Sequence, residues 1–159
     1  MSTNKTVDVT MPSDTEVRVT RYVDAPADLA WEAWTNPKYL PRWMLGPPGW
    51  TMPVCEIDLR VGGTWRFVWR HGDGQEMAMT GVYKEIVRPE RLVCTESWGP
   101  QWPETLTTLT LTEKDGRTLV SQTILYPSKE AREAALKTGM VDGMSMSFDR
   151  IDELLRSLQ

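Results

Sequence analysis

The stretch SKEAREAALKTGMVDGMSMSFDRIDELLRSL, residues 128–158, decides the architecture. Ser128 offers a side-chain acceptor where a helix N-cap belongs, and no proline follows it. Small residues recur every four positions: Ala131, Ala135, Gly139, Gly143 and Ser147. Beside them runs a larger apolar line, Leu136, Met140, Met144, Phe148 and Leu155. This spacing predicts one long helix with an apolar stripe. Glycine inside a helix costs about 1 kcal/mol against alanine. Gly139 and Gly143 therefore imply either close approach to a sheet or open space beside the helix.

A long amphipathic helix needs a partner face, and the preceding chain supplies one. From residue 50 to 126 the pattern is strand after strand. TWRFVWR alternates, with Trp65, Phe67 and Trp69 on one side and Arg66, Val68 and Arg70 mostly on the other. Asp73-Gly74 and Asp115-Gly116 are hairpin signals, and RPER (88–91) is a turn. About six antiparallel strands follow, because connections this short leave no room for parallel crossovers. TEVRVTRYV (15–23) is an earlier strand. Two short helices then precede the meander. One opens at Pro26 and buries Trp31 and Trp34; the other is capped by Asn36 and carries Tyr39, Leu40 and Trp43. The expected order is β-αα-β(six)-α, an α+β fold in which a curved antiparallel sheet wraps the long C-terminal helix. Residues 1–14 read as an unstructured polar tail, and 15–159 as a single domain.

Composition narrows the function classes. At 159 residues the chain suits one domain with a sizeable core. Its net charge of −4 gives no footprint for nucleic acid or an anionic membrane. No apolar run approaches the ~18 residues of a membrane span. The polar start lacks the apolar core of a signal peptide, so the cytoplasm is the expected compartment. There, Cys55 and Cys94 are expected reduced and inert. No GxGxxG or GxxxxGK[ST] motif and no His/Cys cluster is present, so neither cofactor nor metal is expected. The lone His71 falls at a hairpin tip. Eight Trp and nine Met against two Phe point to a space lined by large, adjustable side chains, or to a Trp-rich core.

Four segments together resemble one family: VTRYVDAPADLAWEAWTNPKYLPRWM, GPPGWTMPVCEIDLRVGGTWRF, GVYKEIVRPERLV and YPSKEAREAALKTGMVDGMSMSFDRIDELL. It is the branch of the SRPBCC (START-like, helix-grip) superfamily called activator of heat-shock-protein-ninety ATPase homologue. The resemblance spans about residues 15–158. It implies a sheet gripping the C-terminal helix around a deep cavity, in which superfamily members bind lipids, sterols, polyketides or hormones, and some catalyse cyclisation or dehydration. The sequence given lacks the separate N-terminal domain of the chaperone activator, so the resemblance implies the fold more than that activity. A homodimer or a chaperone contact stays open.

The expected partner is a hydrophobic small molecule, and the expected lining follows from the pattern. LPRWMLGPPGWTMP (40–53) places Trp43, Met44 and Trp50 either at the rim of the cavity or at a packed corner. Trp34 joins them from the first short helix. Trp65 and Phe67 line the strand face, with Met79, Gly81 and Tyr83 sharing a parity on the next strand. Gly81 is expected small because helix or ligand comes close. Met140, Met144 and Phe148 face them from the helix. Cys94, Glu96 and Trp98 share another face, so Glu96 is either an inward carboxylate or a solvated strand end. Gln122, in phase with Val120 and Ile124, is either a polar group in an apolar wall or outward-facing. Glu56, Asp58 and Arg60 read as a solvated outer face. Three function classes remain. One is a non-catalytic binder. The second is a cyclase- or dehydratase-type enzyme using Glu96 or Tyr83. The third is a chaperone-interacting, stress-related module working through its outer surface.

Overall fold

The computed structural model describes residues 7–159. The elements are β1 (Asp8–Thr10), β2 (Glu16–Val23), α1 (Ala27–Thr35), α2 (Leu40–Trp43), β3 (Trp50–Ile57), β4 (Thr64–His71), β5 (Glu76–Val87), β6 (Arg91–Glu96), β7 (Thr105–Lys114), β8 (Arg117–Leu125), α3 (Lys129–Leu136) and α4 (Met140–Ser157). The strands form one sheet in the order β1-β2-β8-β7-β6-β5-β4-β3, every pairing antiparallel. The six-strand meander expected after residue 50 is therefore present, and β2 returns beside its last strand.

Asp115 and Gly116 both take positive φ (56° and 78°), the backbone a two-residue hairpin needs, and join β7 to β8. Between β4 and β5, the Asp73 carboxylate accepts from the Gln75 amide at 2.9 Å and shapes the tip.

Register sets the two faces. Val17, Ile124, Thr107, Cys94 and Tyr83 form one row across β2, β8, β7, β6 and β5. Val19, Gln122, Leu109 and Leu92 form another. On the far strands, Ile57, Trp65 and Gly81 are cross-strand neighbours, as are Cys55, Phe67 and Met79. These rows join Trp31, Trp34, Leu40, Trp43, Phe148, Ile151, Leu154 and Leu155 in one continuous core. A buried ion pair fixes α4 on the sheet: Arg21 of β2 donates to both oxygens of Asp152, at 3.1 and 2.7 Å, with its guanidinium 5.9 Å from the Phe148 ring centre.

Two expectations change, and of the two alternatives for the helix glycines the open-space one holds. The tail expected through residue 14 contains β1, whose Asp8–Thr10 pair with Arg18–Thr20 of β2; residues 1–6 lie outside the described residues. The single long helix is two helices. Ser128 caps α3 as expected, its hydroxyl accepting from the Ala131 amide at 3.0 Å. Gly139 then takes φ +82° and separates α3 from α4. Finally, neither helix glycine meets the sheet. A Cβ on Gly139 would have open space around it, and one on Gly143 would meet only Pro47 of the loop after α2, at 3.9 Å.

Candidate functional site under the C-terminal helix

Within the proline-rich segment, Trp43 pins a packed corner, while Met44 and Trp50 are half-buried. Trp43 is 2% exposed, and its indole N–H donates to the Ala33 carbonyl at 2.8 Å. Its ring meets Trp34 at 4.6 Å and Phe148 at 6.3 Å, so the three aromatics lock α1, α2 and α4 together. Two further bonds hold the loop. The Gly46 amide donates to the Ser147 hydroxyl of α4 (2.9 Å), and the Trp69 indole N–H donates to the Met44 carbonyl (2.8 Å). Met44 is partly buried against the core. Trp50 sits at the sheet edge, half-buried, its ring 5.1 Å from His71. Trp43 thus satisfies a carbonyl in the last turn of α1, and Trp69 one in the irregular loop after α2.

The aromatic wall of β4 is built as the alternation predicts. Trp65 stacks on Phe67 at 4.7 Å, Phe67 meets Trp69 edge-on at 5.9 Å, and Trp98 stacks on Trp69 at 5.4 Å. Trp98 lies beyond the end of β6 and is 37% exposed, so it marks the periphery of this wall. Met79 is buried beside Phe67. The atoms crowding Gly81 are the Thr95 carbonyl oxygen and the Trp65 ring; neither the helix nor a ligand explains its size. The missing side chain lets the indole of Trp65 lie across β5 and reach Cys94 on β6, where it lowers the thiol pKa against a larger upward push from burial.

Glu96 points inward. It follows Cys94 in the inward parity of β6 and pairs with Thr105 of β7. The residue is half-buried, and desolvation of its inward carboxyl pushes the pKa up to about 7, opposed by the nearby Thr107 hydroxyl. Burial first, then the Glu96 charge, also raises Tyr126, to about 12. The Tyr126 hydroxyl meets the Met140 sulfur at the start of α4, 3.4 Å away. Glu96 therefore lies near the end of the inner face where α4 begins. Tyr83 is buried, and burial drives its phenol upward, with Cys94 adding to that shift. Gln122 is half-buried between Val19 and Leu109, in the inner row. Met140 and Met144 are half-buried and pack on the core from α4.

Buried hydrogen-bonding atoms are ordinarily paired. Among the described residues, the indole nitrogens of Trp31, Trp34 and Trp65 and the hydroxyl of Thr107 are buried with no complete hydrogen bond. Trp65 and Thr107 approach Cys94 and Glu96 closely enough to affect their acidity, yet not in bonding geometry. Thr107 escaped the sequence reading, although it stands in phase with Leu109 and Leu111 in TLTTLTLTE.

A second feature lies elsewhere. A depression of about 630 Å³ is lined by Glu56, Thr64, Arg66, Thr80, Thr95, Ser97 and Glu104 among others. By register, Glu56, Thr64, Arg66 and Thr80 point to the side away from α4. Of the expected site residues, Trp65 and Gly81 border it. The expected solvated face is here: Glu56 stands 3.7 Å from Arg66, and Arg60 meets Asp58 at 2.8 Å, both pairs exposed.

A curved antiparallel sheet over one C-terminal helix, with two short helices after β2, defines the helix-grip class. Within that class the chain belongs to the family of activator of Hsp90 ATPase homolog 1-like proteins, whose pattern matches residues 24–156. Solved structures agree. A protein of Rhodobacter sphaeroides is 29% identical, with a TM-score of 0.90 over 97% of this chain and 100% of that one. A protein of Mycobacterium smegmatis is 27% identical, with a TM-score of 0.84 over 94% and 97% of the two chains. An AHSA1-like protein from Aeromonas hydrophila, 18% identical with a TM-score of 0.71 over 86% and 93%, shares the fold. No curated protein matches the chain. No helix among the described residues is long and apolar enough to cross a membrane.

Proposed function

We propose that this protein binds a hydrophobic small molecule, lipid-like or aromatic, between the inner face of the sheet and α4, in the cytoplasm. One observation carries the reading: polar atoms of Trp34, Trp65 and Thr107 are buried in an otherwise apolar interior without complete hydrogen bonds. Leaving such a group unsatisfied costs roughly 1–3 kcal/mol. A ligand that pairs them recovers that loss while its apolar body meets the half-buried Met140 and Met144. Native mass spectrometry of protein purified without organic solvent tests this. A reproducible adduct that Met144→Trp abolishes, with the fold intact, is the expected result. A clean apo mass, with no uptake from a panel of lipids and aromatic polyketides, overturns it.

A second reading is favoured by Glu96. An inward carboxyl that holds its proton near neutrality suits general acid–base work of the cyclase or dehydratase type. Under that reading the adduct is a substrate, and its mass changes by the elements of water during incubation in the wild type but not in Glu96→Gln.

A further inference from the structure

The inner face is polar around Glu96, away from the Arg21–Asp152 pair, and its groups narrow the ligand. Trp65 reaches this region from β4 because Gly81 has no side chain to obstruct the indole. Thr107 of β7 stands opposite Cys94 of β6 in register, and Glu96 is the next inward residue along β6. Trp65 is 4% and Thr107 3% exposed, and neither completes a hydrogen bond, although Trp65 lies beside the Cys94 thiol and Thr107 beside the Glu96 carboxyl. The donors available are an indole N–H, a hydroxyl and a protonated carboxyl. No cation is among the groups that act on Glu96, and Arg21, the buried guanidinium of β2, is engaged by Asp152 at the other end of the face. A ligand carboxylate therefore finds no counter-charge beside Glu96, and a plain hydrocarbon leaves the donors unpaired.

We propose that Trp65, Thr107 and Glu96 together receive the oxygen of a neutral ketone on an otherwise apolar ligand. This rests on the interior-binding reading above and specifies its chemistry. The groups facing Glu96 are Cys94 on its own strand and Tyr126 after β8, with Met140 of α4 against Tyr126. Tyr83 and Cys55 lie beyond Cys94, and Asp58 acts on Tyr83 from beyond the end of β3. Burial raises Cys94 and Tyr83, and takes Cys55 to about 11 and Tyr126 to about 12, so all four stay neutral where Glu96 titrates. Raising the pH removes the carboxyl donor and puts a negative charge beside the ketone oxygen.

The test compares two fluorescent probes on the full chain: prodan, a naphthalene bearing one ketone, and dimethylaminonaphthalene, which lacks it. Prodan is expected to bind more tightly at about pH 5.5 than at about pH 8.5 by about tenfold, the worth of one net hydrogen bond. The ketone-free probe is expected to bind weakly and independently of pH. Glu96→Gln should flatten the prodan profile, and Trp65→Phe should weaken prodan several-fold while leaving the other probe unchanged. Equal, pH-independent binding of both probes overturns the ketone site and leaves interior binding standing. Binding of neither overturns both. The wild-type comparison decides between these outcomes even where a variant fails to fold.

Discussion

Glu96→Gln isolates the clearest electrostatic tension in the fold. The folded carboxyl is raised from an ordinary 4.5 to about 7, chiefly by burial. The native state then holds this proton more tightly than the unfolded chain does. Its contribution is full below about pH 4.5, declines as pH rises towards 7, and stays lost above that. At 1.36 kcal/mol for each unit, ionising Glu96 removes roughly 3 kcal/mol of stability across the window. Glutamine is similar in shape and cannot ionise. Urea unfolding followed by tryptophan fluorescence, at about pH 4.5 and about pH 8.5, gives four free energies and one double difference. The variant should gain roughly 3 kcal/mol on the wild type between the two conditions. Carboxylates lowered by partners, such as Glu32 beside Arg88, push both proteins in the opposite direction and cancel. A double difference near zero would place Glu96 in solvent. One of opposite sign would mean a cation holds it ionised. Either refutes the inward, protonated carboxyl.

Three other perturbations test the frame around it. Gly81→Ala drives a methyl into the Thr95 carbonyl and the Trp65 ring and should cost about 2 kcal/mol by the same unfolding measurement. A neutral outcome would mean the indole does not cross β5. Asp152→Ala leaves the Arg21 guanidinium buried, with Asp149 as a remote partner at 3.9 Å, and should cost about 3 kcal/mol. Added salt should change that loss little if the pair is shielded from solvent. In iodide quenching, replacing Trp98 and Trp102 by Phe should remove most of the accessible fluorescence, since they are 37% and 39% exposed, whereas Trp43→Phe should leave it intact. A large loss with Trp43→Phe would restore that residue to a rim.

The sheet was legible because its signals are local. Alternation in TWRFVWR and the Asp-Gly turns each specify a strand or a hairpin without help from distant residues. The break within the C-terminal helical segment is hidden in the sequence because the four-residue apolar period continues from Leu136 of α3 to Met140 of α4, across Lys137–Gly139. Gly139 was the available stop signal; its φ of +82° shows what a glycine there is for. β1 spans three residues, too few to display alternation, and its place comes from pairing with β2.

The site was legible as a face and illegible as a pocket, for one physical reason. Core and cavity are lined by the same residue types, so Trp34, Trp43 and Phe148 fit either reading until packing decides. Packing puts those three in contact with each other across α1, α2 and α4, yet Trp34 keeps a buried N–H unpaired. Apolar side chains do not discriminate between the two readings; polar atoms among them do, because burying one without a partner is unfavourable in a solid core. Trp43 and Trp69 spend their N–H groups on backbone carbonyls and are thereby assigned to structure. Trp65 and Thr107 do not, and they stand beside a carboxyl that burial keeps protonated near neutrality. Sequence parity could place Glu96 and Thr107 on the inner face, but whether a neighbour satisfies them depends on register across β6, β7 and β4. Cys94 opposite Thr107, and the indole crossing at Gly81, are facts of that register. The argument for a ligand therefore rests on the few polar groups this interior leaves unpaired, and far less on its wealth of tryptophan and methionine.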